Sequence, residues 1–244
     1  MEAGLSARNP RIQAAARLHR SSEREATGLT LLEGPKLVEE AKRAGIAFVE
    51  LFSLDDSHPD AVRISEAALE RLSSTRAPQS PVAVIAIPRH RLRVERSVLV
   101  AWEISDPGNL GTMIRTAAAF EMDVGVVRGA DPWSPKTLRS AAGAHFHTAV
   151  VSIENPFEIG ATTIATVSSG GAEPGSLPLG RLAIFIGNEA HGLPDEALTV
   201  ADSAVSIPMP GGTESLNAAA AAAILCYEVA RRKAGPRGHT ELSS

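Results

Sequence analysis

Asp106-Pro107-Gly108-Asn109-Leu110-Gly111-Thr112-Met113-Ile114-Arg115 follows the strand-like run 98–104, apolar except for Glu103 and Ser105 just beyond it, and this junction decides the fold. A buried-strand pattern that breaks into a polar, glycine-bearing loop and then enters a helix is the βα unit of an open α/β sheet, and ligands gather in such loops. The pattern recurs. The apolar run 182–186 breaks into Gly187-Asn188-Glu189-Ala190-His191-Gly192, and the run 204–207 into Pro208-Met209-Pro210-Gly211-Gly212-Thr213-Glu214-Ser215-Leu216-Asn217 ahead of an alanine-rich helix.

Working outward, buried strands are expected at 98–104, 124–127, 148–153, 162–167, 182–186 and 204–207, with helices near 110–120, 135–142, 194–197 and 215–233. Strands and helices in alternation predict an α/β fold, a mostly parallel sheet with helices on both faces. Upstream lies a smaller α/β layer domain. Asn9-Pro10 starts a helix with Ile12, Ala15, Ala16 and Leu18 on one side, and Pro35 opens a second at its first position. Ser65 caps a third, and strands are expected at 29–32, 47–54 and 82–87. The expected division is 1–92 and 93–244, joined by an arginine-rich linker at 89–96.

A chain of 244 residues with 44% hydrophobic but only 4% aromatic residues builds its core from Val, Ile, Leu and Ala. One cysteine, Cys226, excludes a disulfide framework and a cysteine-rich zinc site, and no metal is expected. No secretion signal and no apolar run of membrane-spanning length is evident, so a cytoplasmic protein with no membrane contact is expected. The net charge of −4 argues mildly against nucleic acid, but its distribution softens this. Arg8, Arg11, Arg17, Arg20 and Arg24 cluster near the start, Arg89, Arg91, Arg93 and Arg96 in the linker, and Arg231, Arg232 and Lys233 at the end of the last helix. These are either a local basic surface for RNA or ordinary solvated faces.

Each loop residue has a plain reading beside a functional one. Asp106-Pro107-Gly108 reads as a turn with Asn109 capping the next helix and Arg115 on its surface; alternatively, Asn109 orients a nucleotide while Arg115 meets a phosphate and a ribose hydroxyl. Gly187 lets backbone approach a ligand, and Glu189 either anchors its loop or binds a basic partner such as Arg115. His191 is read as a loop residue. Ser215 is a plausible helix cap, and the alanines from Ala218 to Ala223 give a thin face for close packing within the domain or across a dimer. Arg139 follows Lys136 on an expected helix face.

Together the three motifs resemble the SpoU branch of the SPOUT methyltransferases, over residues 98–232. Residues 32–38 and Ser80-Pro81-Val82 are similar to the substrate-binding domain that precedes the catalytic domain in many such enzymes. The resemblance implies a C-terminal trefoil knot, a homodimer, and transfer of a methyl group from S-adenosylmethionine to an RNA ribose 2′-hydroxyl. Ribosomal RNA is the expected substrate and transfer RNA the alternative. It implies catalytic roles for Asn109, Arg115, Glu189, Ser215 and Asn217, with Arg115 beside the reacting hydroxyl. Backbone near Gly187, Ile207 and Leu216 would cradle the cofactor, and Arg139 would meet a substrate phosphate. The clustering of arginines near the start of the chain, and not the resemblance, makes Arg17 and Arg20 candidates for holding RNA. A protonated arginine is a poor base, but as a fixed charge it stabilises a developing alkoxide. A catalytically silent RNA-binding or assembly factor on the same fold is the alternative, disfavoured by the complete set of polar residues. A dinucleotide-dependent oxidoreductase is disfavoured because no Gly-x-Gly-x-x-Gly loop follows the first strand.

Overall fold

The computed structural model describes residues 4–234. In chain order the elements are α1 (Pro10–Arg17), α2 (Ser21–Thr27), β1 (Leu29–Glu33), α3 (Pro35–Arg43), β2 (Phe48–Ser53), β3 (Val62–Arg63), α4 (Glu66–Leu72) and β4 (Val82–Ala86). They continue with β5 (Val98–Trp102), α5 (Pro107–Ala119), β6 (Asp123–Val127), α6 (Pro135–Ala141), β7 (Val150–Ser152), β8 (Thr162–Thr166), β9 (Leu182–Ile186), α7 (Asp195–Val200), β10 (Ser203–Val205) and α8 (Ala218–Ala234). The chain divides into two compact units, one of Met1–His90, Asp106–Arg115 and Ala130–His147, the other of Arg91–Ser105, Thr116–Gly129 and Thr148–Ser244.

In the first unit, β1, β4, β2 and β3 form a four-stranded sheet in that order, antiparallel except for the β2–β3 pair. Alternation along the strands sorts side chains to two faces. Leu31, Phe52, Val82 and Val84 meet Ile12, Ala15 and Ala16 of α1 and Ala68, Leu69 and Leu72 of α4. The opposite-face residues Leu32, Ala83 and Ile85 meet Leu37, Val38 and Ala41 of α3, and also Trp133 and Leu138. Helix α6, which the sequence grouped with the later strands, therefore belongs to this unit's core. Asn9 and Ser65 cap α1 and α4 by accepting from the backbone N–H of Arg11 and Ala68. The seven-residue helix α2, Ser21–Thr27, was not expected, because its polar sequence carries no apolar stripe.

Within the same unit α5 starts against α6. A Cβ on Gly111 would lie 2.5 Å from the Ser140 Cβ and 2.6 Å from the Thr137 carbonyl oxygen, so only glycine permits this approach. Two buried polar ties hold the segment before α6. Thr30 Oγ1 donates to the Trp133 carbonyl at 2.7 Å, and Arg24, 4% exposed, donates through Nε to Asp131 at 2.8 Å and through Nη1 to the Leu18 carbonyl at 2.7 Å.

The second unit holds a six-stranded sheet in the order β10-β8-β9-β5-β6-β7, with all five neighbouring pairs parallel. Strands β5, β6 and β9 are buried along their whole length, which is why they read as continuous apolar runs. Val98, Val100 and Trp102 pack with Phe185, Leu193 and Ala197 of α7 on one face. Helix α8 packs on β9, burying Ala222, Leu225, Cys226 and Val229. At the amino end of β6, the buried Asp123 carboxylate accepts from the Arg93 backbone N–H at 2.7 Å and from its Nε at 3.0 Å. Burial pushes that carboxyl up, but the Arg93 bonds overcome it and leave it below the usual range. Among the described residues no helix is long and apolar enough to cross a membrane.

Candidate active site

In the second unit a cleft of ≈ 530 Å³ opens at the carboxyl ends of β8, β9 and β10. That is where an open parallel sheet receives its ligands, and the size is in the range of small-molecule sites. Its wall includes Gly187, Glu189, Ile207, Ser215 and Leu216, so five residues singled out from sequence are gathered in one place. Leu193, Ile207 and Leu216 supply apolar surface, while Glu189 and Glu214 supply carboxylates.

The β9 loop has its own architecture. Asn188 and Gly192 exchange both backbone hydrogen bonds, at 3.0 and 2.9 Å. A Cβ on Gly187 would lie 2.3 Å from the Gly192 carbonyl carbon and 2.4 Å from the Leu193 nitrogen. Gly187 is thus required first by the loop closing on itself. Asn188 was overlooked in the sequence and is the brace of the site. Its Nδ2 donates to the Glu103 carbonyl at 2.8 Å and to Ser105 Oγ at 3.1 Å, while its Oδ1 accepts from the Ala190 and His191 backbone N–H groups at 2.8 and 3.3 Å. Glu103 and Arg128, ending β5 and β6, both hold left-handed backbone, φ 54° and 55°, and pair through Nε and Oε1 at 2.9 Å. Strained non-glycine backbone of this kind gathers at functional sites. A loop amide with two acceptors and two donors around it has a local signal, Asn-x-x-x-Gly after a strand, but the Glu103 geometry has none.

Two capping expectations need correction. Helix α5 begins at Pro107, so Asp106-Pro107-Gly108 is a helix start and not a free turn, and Asn109 lies in the first turn. The cap is Asp106. Its carboxyl is held below the usual range by Lys136, 3.0 Å away, and by the Gly108 and Asn109 backbone N–H groups. The proline explains the shift, since it occupies the first helical position where no N–H is needed. Likewise Ser215 does not cap α8. Asn217 does, accepting from the Ala219 and Ala220 N–H groups at 2.9 and 3.3 Å, which leaves Ser215 on the cleft wall.

Asn109 and Arg115 lie in the first unit on α5, where Arg115 is exposed. Arg139, on α6, donates through Nη1 to Glu33 at 3.3 Å and to Ser74 Oγ at 2.8 Å. The amino-terminal arginines are not one open basic surface. Arg24 is buried on Asp131, Arg11 pairs with Glu50, and Arg17 lies 3.7 Å from Glu23, while Arg20 is exposed. Acidic partners close in space but distant in sequence made this pairing invisible. In the linker Arg93 is tied to Asp123.

An all-parallel sheet with a mixed apolar and carboxylate cleft at the strand carboxyl ends defines an α/β protein built to hold a small organic ligand. The chain belongs to the SpoU rRNA Methylase family, whose model matches residues 96–227, and an MRM3-like substrate binding domain matches residues 9–83. It is similar to the 23S rRNA (guanosine(2553)-2'-O)-methyltransferase RlmP of Bacillus subtilis, with 37% identity, covering 92% of this chain and 97% of that one. Its structure resembles the SpoU methyltransferase AviRb from Streptomyces viridochromogenes in complex with the cofactor AdoMet, with TM-score 0.84 and 26% identity over 94% of this chain and 100% of that one. It also resembles an AdoMet-bound rRNA methyltransferase from Sinorhizobium meliloti, with TM-score 0.82 and 25% identity over 92% and 95% of the two chains.

Proposed function

We propose that this chain is an S-adenosylmethionine-dependent 2′-O-ribose methyltransferase acting on ribosomal RNA. The observation that carries the reading is the cleft at the carboxyl ends of β8, β9 and β10, built from two of the three motif loops. Its residues fit the cofactor. Leu193, Ile207 and Leu216 offer apolar surface to an adenosyl group, and the Glu189 and Glu214 carboxylates suit a ligand bearing a sulfonium cation. When bound, the cofactor supplies a methyl group made electrophilic by that sulfonium. Family membership and the ribosomal RNA specificity in the names of its relatives support the substrate.

The chain's own residues divide the remaining work. Arg115 presents a fixed guanidinium to the ribose hydroxyl and stabilises the negative charge that develops on its oxygen as the proton passes to solvent water. Asn109, Glu189, Ser215 and Asn217 are the polar residues that orient the nucleotide and hold the loops. Backbone near Gly187, Ile207 and Leu216 holds the cofactor, and no metal takes part. Residues 1–92 grip RNA, with Arg17 and Arg20 at phosphates, and residues 93–244 carry the chemistry, with Arg139 meeting a further substrate phosphate. The protein works as a homodimer in the cytoplasm.

Mapping 2′-O-methyl groups in total RNA from cells with and without the gene tests this. The expected result is loss of a methyl group from large-subunit ribosomal RNA on deletion. A change confined to transfer RNA would reassign the substrate, and no change anywhere would remove the enzymatic reading.

A further inference from the structure

We propose that Glu33 is a positioning residue for RNA binding: it anchors one edge of Arg139 so that the opposite edge is presented to a backbone phosphate. The inference rests on the reading that this chain binds RNA and that Arg139 meets a phosphate, and it assigns a role to a carboxylate at the end of β1, far from Arg139 in sequence.

Glu33 is a buried carboxylate, its side chain 4% exposed. Its surroundings are unusually specific. Oε1 accepts from the hydroxyls of Ser73 and of Thr75, the latter at 3.1 Å, while Oε2 accepts from the Ser74 backbone N–H at 3.4 Å and from Arg139 Nη1 at 3.3 Å. The three-residue segment Ser73-Ser74-Thr75 thus wraps the carboxylate, and Ser74 Oγ takes a second bond from the same Nη1 at 2.8 Å. Nη1 is therefore held between two acceptors. Because the guanidinium is planar and rigid, fixing one nitrogen and the stem on α6 fixes the directions of Nε and Nη2. Among the described residues neither of those two nitrogens makes a hydrogen bond, and the side chain keeps 29% exposure.

Stability is a poor reason for this arrangement. Burying a carboxylate is costly, and a buried ion pair is often replaced by packed apolar side chains with little loss. What apolar packing cannot supply is direction. A guanidinium backed by a buried anion presents a fork to a second anion, and a phosphate takes such a fork with two parallel bonds. The helix that carries Arg139 also packs on Gly111, so the pair helps set where α5 begins.

The test measures binding of full-length protein to 23S ribosomal RNA transcribed in vitro, as affinity and as its dependence on salt. Arg139→Ala should weaken binding about tenfold and lower the salt slope by roughly one unit, as expected for one lost phosphate contact. Glu33→Gln keeps the cation but loosens its direction, so binding should weaken several-fold with the slope unchanged. In the double variant the loss should equal that of Arg139→Ala alone. Should Glu33→Gln fail to fold, Ser74→Ala removes the second Nη1 acceptor without touching the carboxylate, and it should weaken binding without changing the slope. Cofactor affinity should stay at the wild-type value throughout. Unchanged affinity in Glu33→Gln and Ser74→Ala, or losses that multiply in the double variant, would overturn the proposal. Absence of methyl transfer by the wild type would refute the enzymatic reading separately, since every arm here reads binding.

Discussion

Charge is buried around the four-stranded sheet and almost absent from the strands of the six-stranded one. The first unit takes the charged Arg24 and Glu33 below a tenth exposure and ties each to a defined partner, Asp131 for the one and the Ser73–Thr75 segment with Arg139 for the other; the neutral His145 is buried beside them, its Nε2 2.7 Å from the Pro132 carbonyl oxygen. In the second unit β5 and β9 carry no charged side chain, and the buried charge among the described residues is Asp123, held by Arg93. Apolar burial is non-directional, so it stabilises a sheet without deciding how the next helix is turned. Hydrogen-bonded charges do the reverse: they contribute little net stability and fix orientation. The difference suggests that the second sheet is a platform for the cleft, while the first unit's pairs set the angle of α6 and of the α5 start packed on it.

Removing residues 1–92 should have the largest effect. It would strip β1, β4 and α3 from Trp133 and Leu138, leaving two buried apolar side chains and Asp131 uncovered. The fragment should aggregate or lose cooperative unfolding by circular dichroism. A soluble, cooperatively melting fragment would show that α6 holds its place without the first sheet. Leu138→Ala, at a fully buried position, should cost about 2–5 kcal/mol in denaturant unfolding of the full chain. A loss below 1 kcal/mol would show that the α6 contact is not tightly packed.

Acid should act on the first unit's buried imidazole. Burial pushes the His145 imidazole down from 6.5 to about 4. Between those values the unfolded chain binds a proton that the folded chain refuses, so stability falls as pH drops from about 6.5 toward 4. The full loss is on the order of 3 kcal/mol. Denaturant titrations across that window should show the slope in the wild type and a flatter profile in His145→Asn, which has no group to protonate. Identical slopes would place the acid sensitivity elsewhere. The smallest effect is expected in the second unit. Asn188→Ala removes the bonds to Glu103 and Ser105 and should cost about 1–3 kcal/mol, with weaker S-adenosylmethionine binding by calorimetry. Unchanged cofactor affinity would show that the loop keeps its shape without the brace.

Much of the fold was legible because its signals are local. The runs at β5, β6 and β9 announce strands buried on both faces, and Asn9, Pro35 and Ser65 mark helix starts where they fall. The site was partly legible for the same reason: Gly187, Glu189, Ile207, Ser215 and Leu216 do line one cleft. Position within a helix start was less so. Asp106 and Asn109, or Ser215 and Asn217, are all good caps by type, and only the backbone path selects between them. Least legible were the long-range pairs. Arg24 with Asp131 and Glu33 with Arg139 are separated by 107 and 106 positions, so nothing near either arginine reveals that its charge is already engaged.

On the proposed reading this chain moves a methyl group to an RNA ribose with Arg115 beside the reacting oxygen. Single-turnover transfer of labelled methyl from S-adenosylmethionine to 23S ribosomal RNA transcribed in vitro tests it, comparing wild type with Arg115→Ala and locating the label by resistance of the bond to alkali. The expected result is label on a ribose 2′-oxygen, with the alanine variant slower by a factor of order 10²–10³ and its cofactor affinity nearly intact. Label on a base, or wild-type rates in the variant, would contradict it.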